Sequence, residues 1–144
     1  MTTRTVVLVS CGAAKLDEPA AARDLYTSTL FRKARRYAEA VGDAWYILSA
    51  RHGLVHPLLV LYPYEHKLAA AEAPAWGWMA AESVVVREVG RSDRVRVEIL
   101  AGELYAKPIR ERLRCYRSFD VVEPLAGLQV GERLRWFNQN TPTV

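Results

Sequence analysis

VVLVSCGAAK, residues 6 to 15, runs four apolar residues together without alternation, stops at a serine and a cysteine, and opens into a glycine, two alanines and a lysine. Successive side chains of a strand point to opposite faces of a sheet, so an unbroken apolar run marks a strand covered on both faces. Such strands belong to parallel sheets whose crossovers are helices. The flanking sequence supplies both kinds of element. WYILS, 45 to 49, is a second continuous run, and Phe119 to Val122 is a short one of the same kind. Val95, Val97 and Ile99 alternate with Arg94, Arg96 and Glu98, which predicts a strand with one less buried face, nearer a sheet edge.

Helical spacing fills the gaps. Leu30, Phe31, Ala34, Tyr37, Ala38 and Val41 form one stripe, with Arg32, Lys33, Arg35, Arg36 and Glu39 largely opposite. Thr27 or Ser28 can cap its start and Gly42 its end. A second pattern begins near Pro74 as a first-turn proline and carries Trp76, Ala80 and Ser83 at three- and four-residue steps, although Val84 to Val86 suits a strand equally. A third follows Gly102, with Ile109, Leu113 and Tyr116 inward and Pro108 tolerable only in the first turn. Val130, Leu134 and Phe137 support a last helix, and the tail 138 to 144 is expected to fray. The alternation predicts an α/β fold: one domain over residues 1–144, Rossmann-like, with a mostly parallel four-stranded sheet and helices on both faces.

Composition agrees with that class. The chain has 144 residues, 51% apolar and 25% charged, as expected of a soluble globular protein. The first apolar run is too short for a signal peptide or a membrane span, so a cytoplasmic location without membrane contact is expected. Cys11 and Cys115 lack C-x-x-C spacing and read as reduced thiols. His52, His56 and His66 lie four and ten residues apart without a zinc signature, so neither a metal nor another cofactor is expected. A net charge of +4 is carried largely by arginines in FRKARR, RERLRCYR and GERLRW, which suit phosphate contacts or solvated helix faces.

In open α/β sheets, ligands bind beyond the carboxyl ends of the strands. That rule selects Ser10 to Lys15, Ser49 to Tyr64, Gly102 to Tyr105 and Pro124 to Gly131. Ser10, Cys11 and Lys15 offer a hydroxyl, a thiol and a counter-charge for an anion, although the Walker and dinucleotide glycine patterns are both absent. Ala50 to Ala73 is long and rich in tyrosine and leucine, which predicts an ordered binding loop. It starts with Arg51, His52 and Gly53. His52 titrates near neutrality and can act as acid or base, and Glu65, next to Tyr64, is the first choice for orienting a water in N-glycosidic cleavage. Tyr26, Tyr64 and Tyr105 fall near the same edge, where they can frame a base. A nucleophilic Cys11 needs a base or a positive field that the sequence does not assign.

Taken in order, VSCGAAK, ARDLYTSTLFRKARRYAE, WYILSARHGLVHP, PYEHKL, AGELYAKPI and PLAGLQVGERLRW resemble a family of small bacterial and phage α/β domains. These are distantly similar to the YaaA-like peroxide-stress proteins. The resemblance implies binding of nucleic acid or a nucleotide-like ligand, and it covers Ser10, Cys11, Lys15, Tyr26, Ser28, Ser49, Gly53, Tyr64, Gly102 and Tyr105. The chain departs from the pattern at Ala13 and Ala14, where relatives carry another lysine, and at Leu58, where they carry an acid. The expected function is therefore binding of a nucleotide or a nucleic-acid base, with hydrolysis of an N-glycosidic bond as its enzymatic form. The rival expectation is a non-catalytic DNA-binding protein whose arginine-rich helices track phosphates. The oligomeric state is left open.

Overall fold

The structure is a computed structural model and describes residues 1–143; Val144, the end of the tail expected to fray, lies outside the described residues. Its centre is the strand that opened the sequence. β1 (Thr3–Ser10) lies between β3 (Ala44–Ser49) and β6 (Arg94–Leu100), parallel to both, and β7 (Phe119–Val122) continues the sheet beyond β6. Val6, Val7, Leu8 and Val9 are fully buried, as an unbroken apolar run between two helix layers requires.

The sheet has five strands, not four. After β3 the chain reverses through a tight turn in which Gly53 adopts φ +71°, and β4 (Gly53–Val55) returns antiparallel to β3 as the edge strand. A positive φ favours glycine because it has no Cβ to clash. Three residues of strand are too few to show periodicity in a sequence. A separate two-stranded ribbon pairs β2 (Ala20–Ala21) with β5 (Val60–Leu61), so the long 50 to 73 segment is pinned at two places.

On one face, α2 (Thr29–Val41) and α5 (Val130–Asn140) cover Val7, Val9 and Ile47, joined by the short α1 (Ala22–Leu25). On the other, α3 (Ala73–Glu88) and α4 (Glu103–Leu113) cover Val6, Leu8, Leu48, Val97 and Ile99. The stripe read from the sequence is the buried face of α2, and Ser28 caps it by accepting Phe31 N–H at 3.1 Å. Val84 to Val86 is helix, with Val84 and Val85 inward and Val86 exposed.

One further expectation is refined and two are corrected. β6 is not itself an edge strand but lies one in from the edge, between β1 and β7. Its charged positions are tolerated because buried Glu98 accepts the Tyr37 hydroxyl at 2.6 Å and pairs with Arg96, while Arg94 pairs with Asp120. Pro108 sits inside α4 rather than in its first turn, and its ring packs where Gly77 of α3 has no side chain. The tail does not fray from residue 138: α5 continues through Asn140, held by Lys33 to Asn138 at 2.5 Å.

The order β4-β3-β1-β6-β7 also fixes where a ligand can sit. The chain leaves β1 for β3 by way of α2 on one face, then crosses back over β1 to β6 by way of α3 on the other. The boundary between β1 and β6 is therefore the topological switch point, where the connecting loops part and open a crevice. The strand ends are level there: Val9 faces Leu100, and Ser10 faces Leu48.

Candidate functional site

The ends of β1 and β3 deliver Cys11 and Ser49 side by side, with the Cys11 amide bonded to the Leu48 carbonyl at 3.0 Å. Tyr64 reaches them from the long segment. Its hydroxyl lies 2.6 Å from Ser49 Oγ and 2.5 Å from the Tyr26 hydroxyl, and the Cys11 thiol is close enough for each to shift the other's titration. Ser49 Oγ accepts the His52 amide at 3.1 Å, which ties the hairpin turn to the same cluster. Three segments thus meet on one phenol oxygen, with the end of β1 beside them. Tyr26 reaches it from the end of α1, where Lys15 and Tyr26 bridge the two arms of the preceding loop.

Burial sets the protonation of this cluster. It pushes the Tyr64 phenol up to about 12 and the Tyr26 phenol well above its usual range, so both are neutral donors at pH 7. Burial likewise raises the Cys11 thiol, against the opposing pull of the Ala50 amide, the Tyr64 hydroxyl and the Lys15 charge. The resting form is a protonated thiol with stabilisers for a thiolate already in place. His52 is lowered by burial and by its neighbour Arg51, so its imidazole is neutral near pH 7. Its ring stands edge-on to Tyr64, centroids 5.1 Å apart, and the Lys15 ammonium lies 4.5 Å from the Tyr64 ring centre.

Tyr64 and Glu65 are shared by two adjoining clefts of about 480 and 470 Å³, one walled by Lys15 and Asp17, the other by Arg51, His52 and Tyr62. On the opposite side of Cys11, at the switch point, lies a smaller cavity of about 90 Å³ bounded by Ser10, Gly12, Ser28, Gly102 and Arg133 among others.

The residues singled out from the sequence divide by what the structure does with them. Cys11, Lys15, Tyr26, Ser49, His52 and Tyr64 come together in one cluster. Tyr26 is 1% exposed and Ser49 fully buried, so neither can stack on a base; they hold Tyr64 in place. Tyr105 stands at the third strand end, packed edge-on against Trp76 at 5.0 Å, its phenol raised by burial first and by the nearby Cys11 second. Ser10, Ser28 and Gly102 line the small cavity, and Ser28 also caps α2. Gly53 serves the hairpin turn, Arg51 is exposed at its tip, and Glu65 is an exposed cleft-wall residue.

Two residues of the region were not singled out. Trp76 donates its indole N–H to the Ser49 carbonyl at 2.9 Å and clamps α3 to the end of β3. Its helical spacing marked it only as core. Arg133 enters the cavity wall from α5; GERLRW gave an arginine cluster without saying which member turns inward.

The sequence profile of a family described as "Family of unknown function (DUF6884)" matches residues 6–139. The chain belongs to this family. The match extends from the start of the buried run in β1 into the last turn of α5, so every DUF6884 residue discussed at the strand ends lies within it. The chain is also similar to the uncharacterized protein YfjM of Bacillus subtilis (strain 168), 33% identical over 60 residues. That alignment covers 38% of this chain and 40% of YfjM's length. No solved structure matches this DUF6884 chain. Among the described residues, no helix is long and apolar enough to cross a membrane, and no three His, Cys, Asp or Glu side chains are grouped to hold a metal ion.

Proposed function

We propose that this protein binds a nucleotide, or a base presented by a nucleic acid, in the crevice at the carboxyl ends of β1, β3 and β6. The observation that carries this reading is the meeting of Ser49 and Tyr26 on the Tyr64 hydroxyl, with Cys11 nearby and Lys15 at the Tyr64 ring, beside the switch point. A flat, partly charged guest suits such a place. Tyr64 offers an aromatic body whose polar tip is fixed, the clefts on either side have room for a base and a sugar, and Lys15 supplies positive charge.

Hydrolysis of an N-glycosidic bond is the enzymatic form of the proposal. A neutral His52 can accept a proton from water, and Glu65 shares the Tyr64 clefts, where a carboxylate can oppose a cationic sugar. The non-catalytic alternative places DNA against exposed arginines of α2 and α5.

One titration distinguishes these forms. Mononucleotides and duplex DNA are titrated at two salt concentrations against wild type and a Lys15→Ala, Tyr64→Ala double variant. Cleft binding predicts that mononucleotide affinity falls at least tenfold in the variant. Duplex affinity that collapses with salt yet ignores the variant identifies phosphate tracking instead. Unchanged base release after joint replacement of Glu65 and His52 removes hydrolysis and leaves binding intact.

A further inference from the structure

The small cavity at the switch point asks for an anion. It lies between the ends of β1 and β6 and the α2–α5 pair, and its wall carries one cation, Arg133, and no carboxylate among the described residues. Arg133 is half-buried and forms no ion pair among the described residues; its Nε–H is spent on the Leu128 carbonyl at 3.0 Å, which fixes the plane of the guanidinium. A charge taken partly out of water without a counter-charge is costly, and a bound anion removes that cost.

The rest of the wall is mostly apolar, with Leu30, Phe31, Leu100, Leu125 and Phe137 enclosing two hydroxyls. Ser28 Oγ only accepts in its cap and so keeps a proton to donate, Ser10 Oγ rests on the Cys11 carbonyl at 3.2 Å and must turn from it to reach an anion, and at Gly12 a Cβ would come to 3.0 Å of Ser28 Oγ. The volume of about 90 Å³ is several times the ~10–15 Å³ that one water needs, which gives room for a tetrahedral oxyanion. Cys11 lines this cavity and also lies beside Tyr64, so an anion seated here is one residue away from a base seated at Tyr64.

We propose that this cavity is a phosphate subsite, in which Arg133, Ser10 and Ser28 hold a phosphate group of the ligand on the α2–α5 side of Cys11. The inference rests on the nucleotide reading and narrows it: the preferred ligand is a nucleoside phosphate, and Arg133 is its specificity residue.

The test uses the full chain with Cys115→Ser, so that Cys11 is the thiol followed. Alkylation of Cys11 by iodoacetamide is timed by mass spectrometry with and without inorganic phosphate, chloride holding the ionic strength constant. The thermal midpoint is recorded in parallel. Phosphate is expected to slow alkylation saturably and raise the midpoint, with its apparent affinity weakened about tenfold or more by Arg133→Gln and partly kept by Arg133→Lys. Circular dichroism verifies that the variants fold. Absence of both effects in the Cys115→Ser protein, or the same effects in Arg133→Gln, overturns the subsite. An uncharged nucleoside is titrated alongside. If it binds and its monophosphate binds no tighter, the subsite fails while base binding stands; if phosphate acts at Arg133 and no nucleoside binds, the base reading fails and the subsite stands.

Discussion

Tyr64 shows how much one atom can carry. Its hydroxyl is shared by Tyr26 and Ser49, both withdrawn from water, so deleting it strands partners that have no solvent to turn to. Tyr64→Phe is expected to cost about 1–3 kcal/mol, read from the urea midpoint. Adding Ser49→Ala costs less than the sum of the two single changes, because the second removes a group the first had already orphaned. A second expectation concerns Cys11. Its alkylation rate rises with pH around a midpoint above the ordinary thiol value of about 8.5, since burial raises the thiol. Lys15→Ala moves that midpoint further up, because the ammonium favours the thiolate; a midpoint that stayed put would show that Lys15 exerts no field at the sulfur.

At the scale of elements, α3 and α4 pack closely because Gly77 meets Pro108. A Cβ at residue 77 would overlap Pro108 Cβ and Cγ, and proline cannot swing aside as a flexible side chain does. Gly77→Ala is therefore expected to lower stability by about 3 kcal/mol despite the better helix propensity of alanine, measured by chemical denaturation. A gain in stability would mean that the helices separate freely. The same pair explains why sequence reading misplaced Pro108: the rule against interior proline describes an isolated helix, whereas here a neighbouring glycine makes the ring useful. Glu98 misled in a similar way. Its alternation with apolar neighbours suggested an exposed face, yet Glu98 is buried, because besides its neighbour Arg96 it has the Tyr37 hydroxyl, 61 residues away, where no local pattern shows it. By contrast, β1, β3 and α2 were legible because their patterns answer to burial alone, and β4 was hidden by having only three residues.

The molecule as a whole divides its work between the two ends of the sheet. At the amino ends of the strands, fully buried Glu88 accepts Arg4 Nε–H at 2.6 Å and the Tyr46 hydroxyl at 2.8 Å. Glu88→Ala should cost about 3 kcal/mol, at the low end for a broken buried pair since Arg4 keeps some contact with water, and should leave nucleotide affinity unchanged. Calorimetry with ligand titration checks both parts. Alkaline pH offers a global readout. The phenols of Tyr26, Tyr37, Tyr46 and Tyr64 are all raised on folding, chiefly by burial. Their contribution is complete below the unfolded value of about 10 and is lost as pH climbs toward the folded values, about 12 for Tyr64. Stability should fall across that window, and Tyr64→Phe should make the fall shallower. The carboxyl-end rim was legible because parallel topology forces strand ends together; which tyrosine is buried and which arginine turns inward depends on packing across 100 residues and was not.

Both margins of the sheet are brief, three residues in β4 and four in β7, and β7 carries Asp120 locked to Arg94. An incoming strand from another molecule would find too short a ladder to zip onto, and on one side a charge in its way. Such a chain should resist fibril formation even when concentrated, and any assembly it enters must be built through its helices and loops rather than by extending its β-layer.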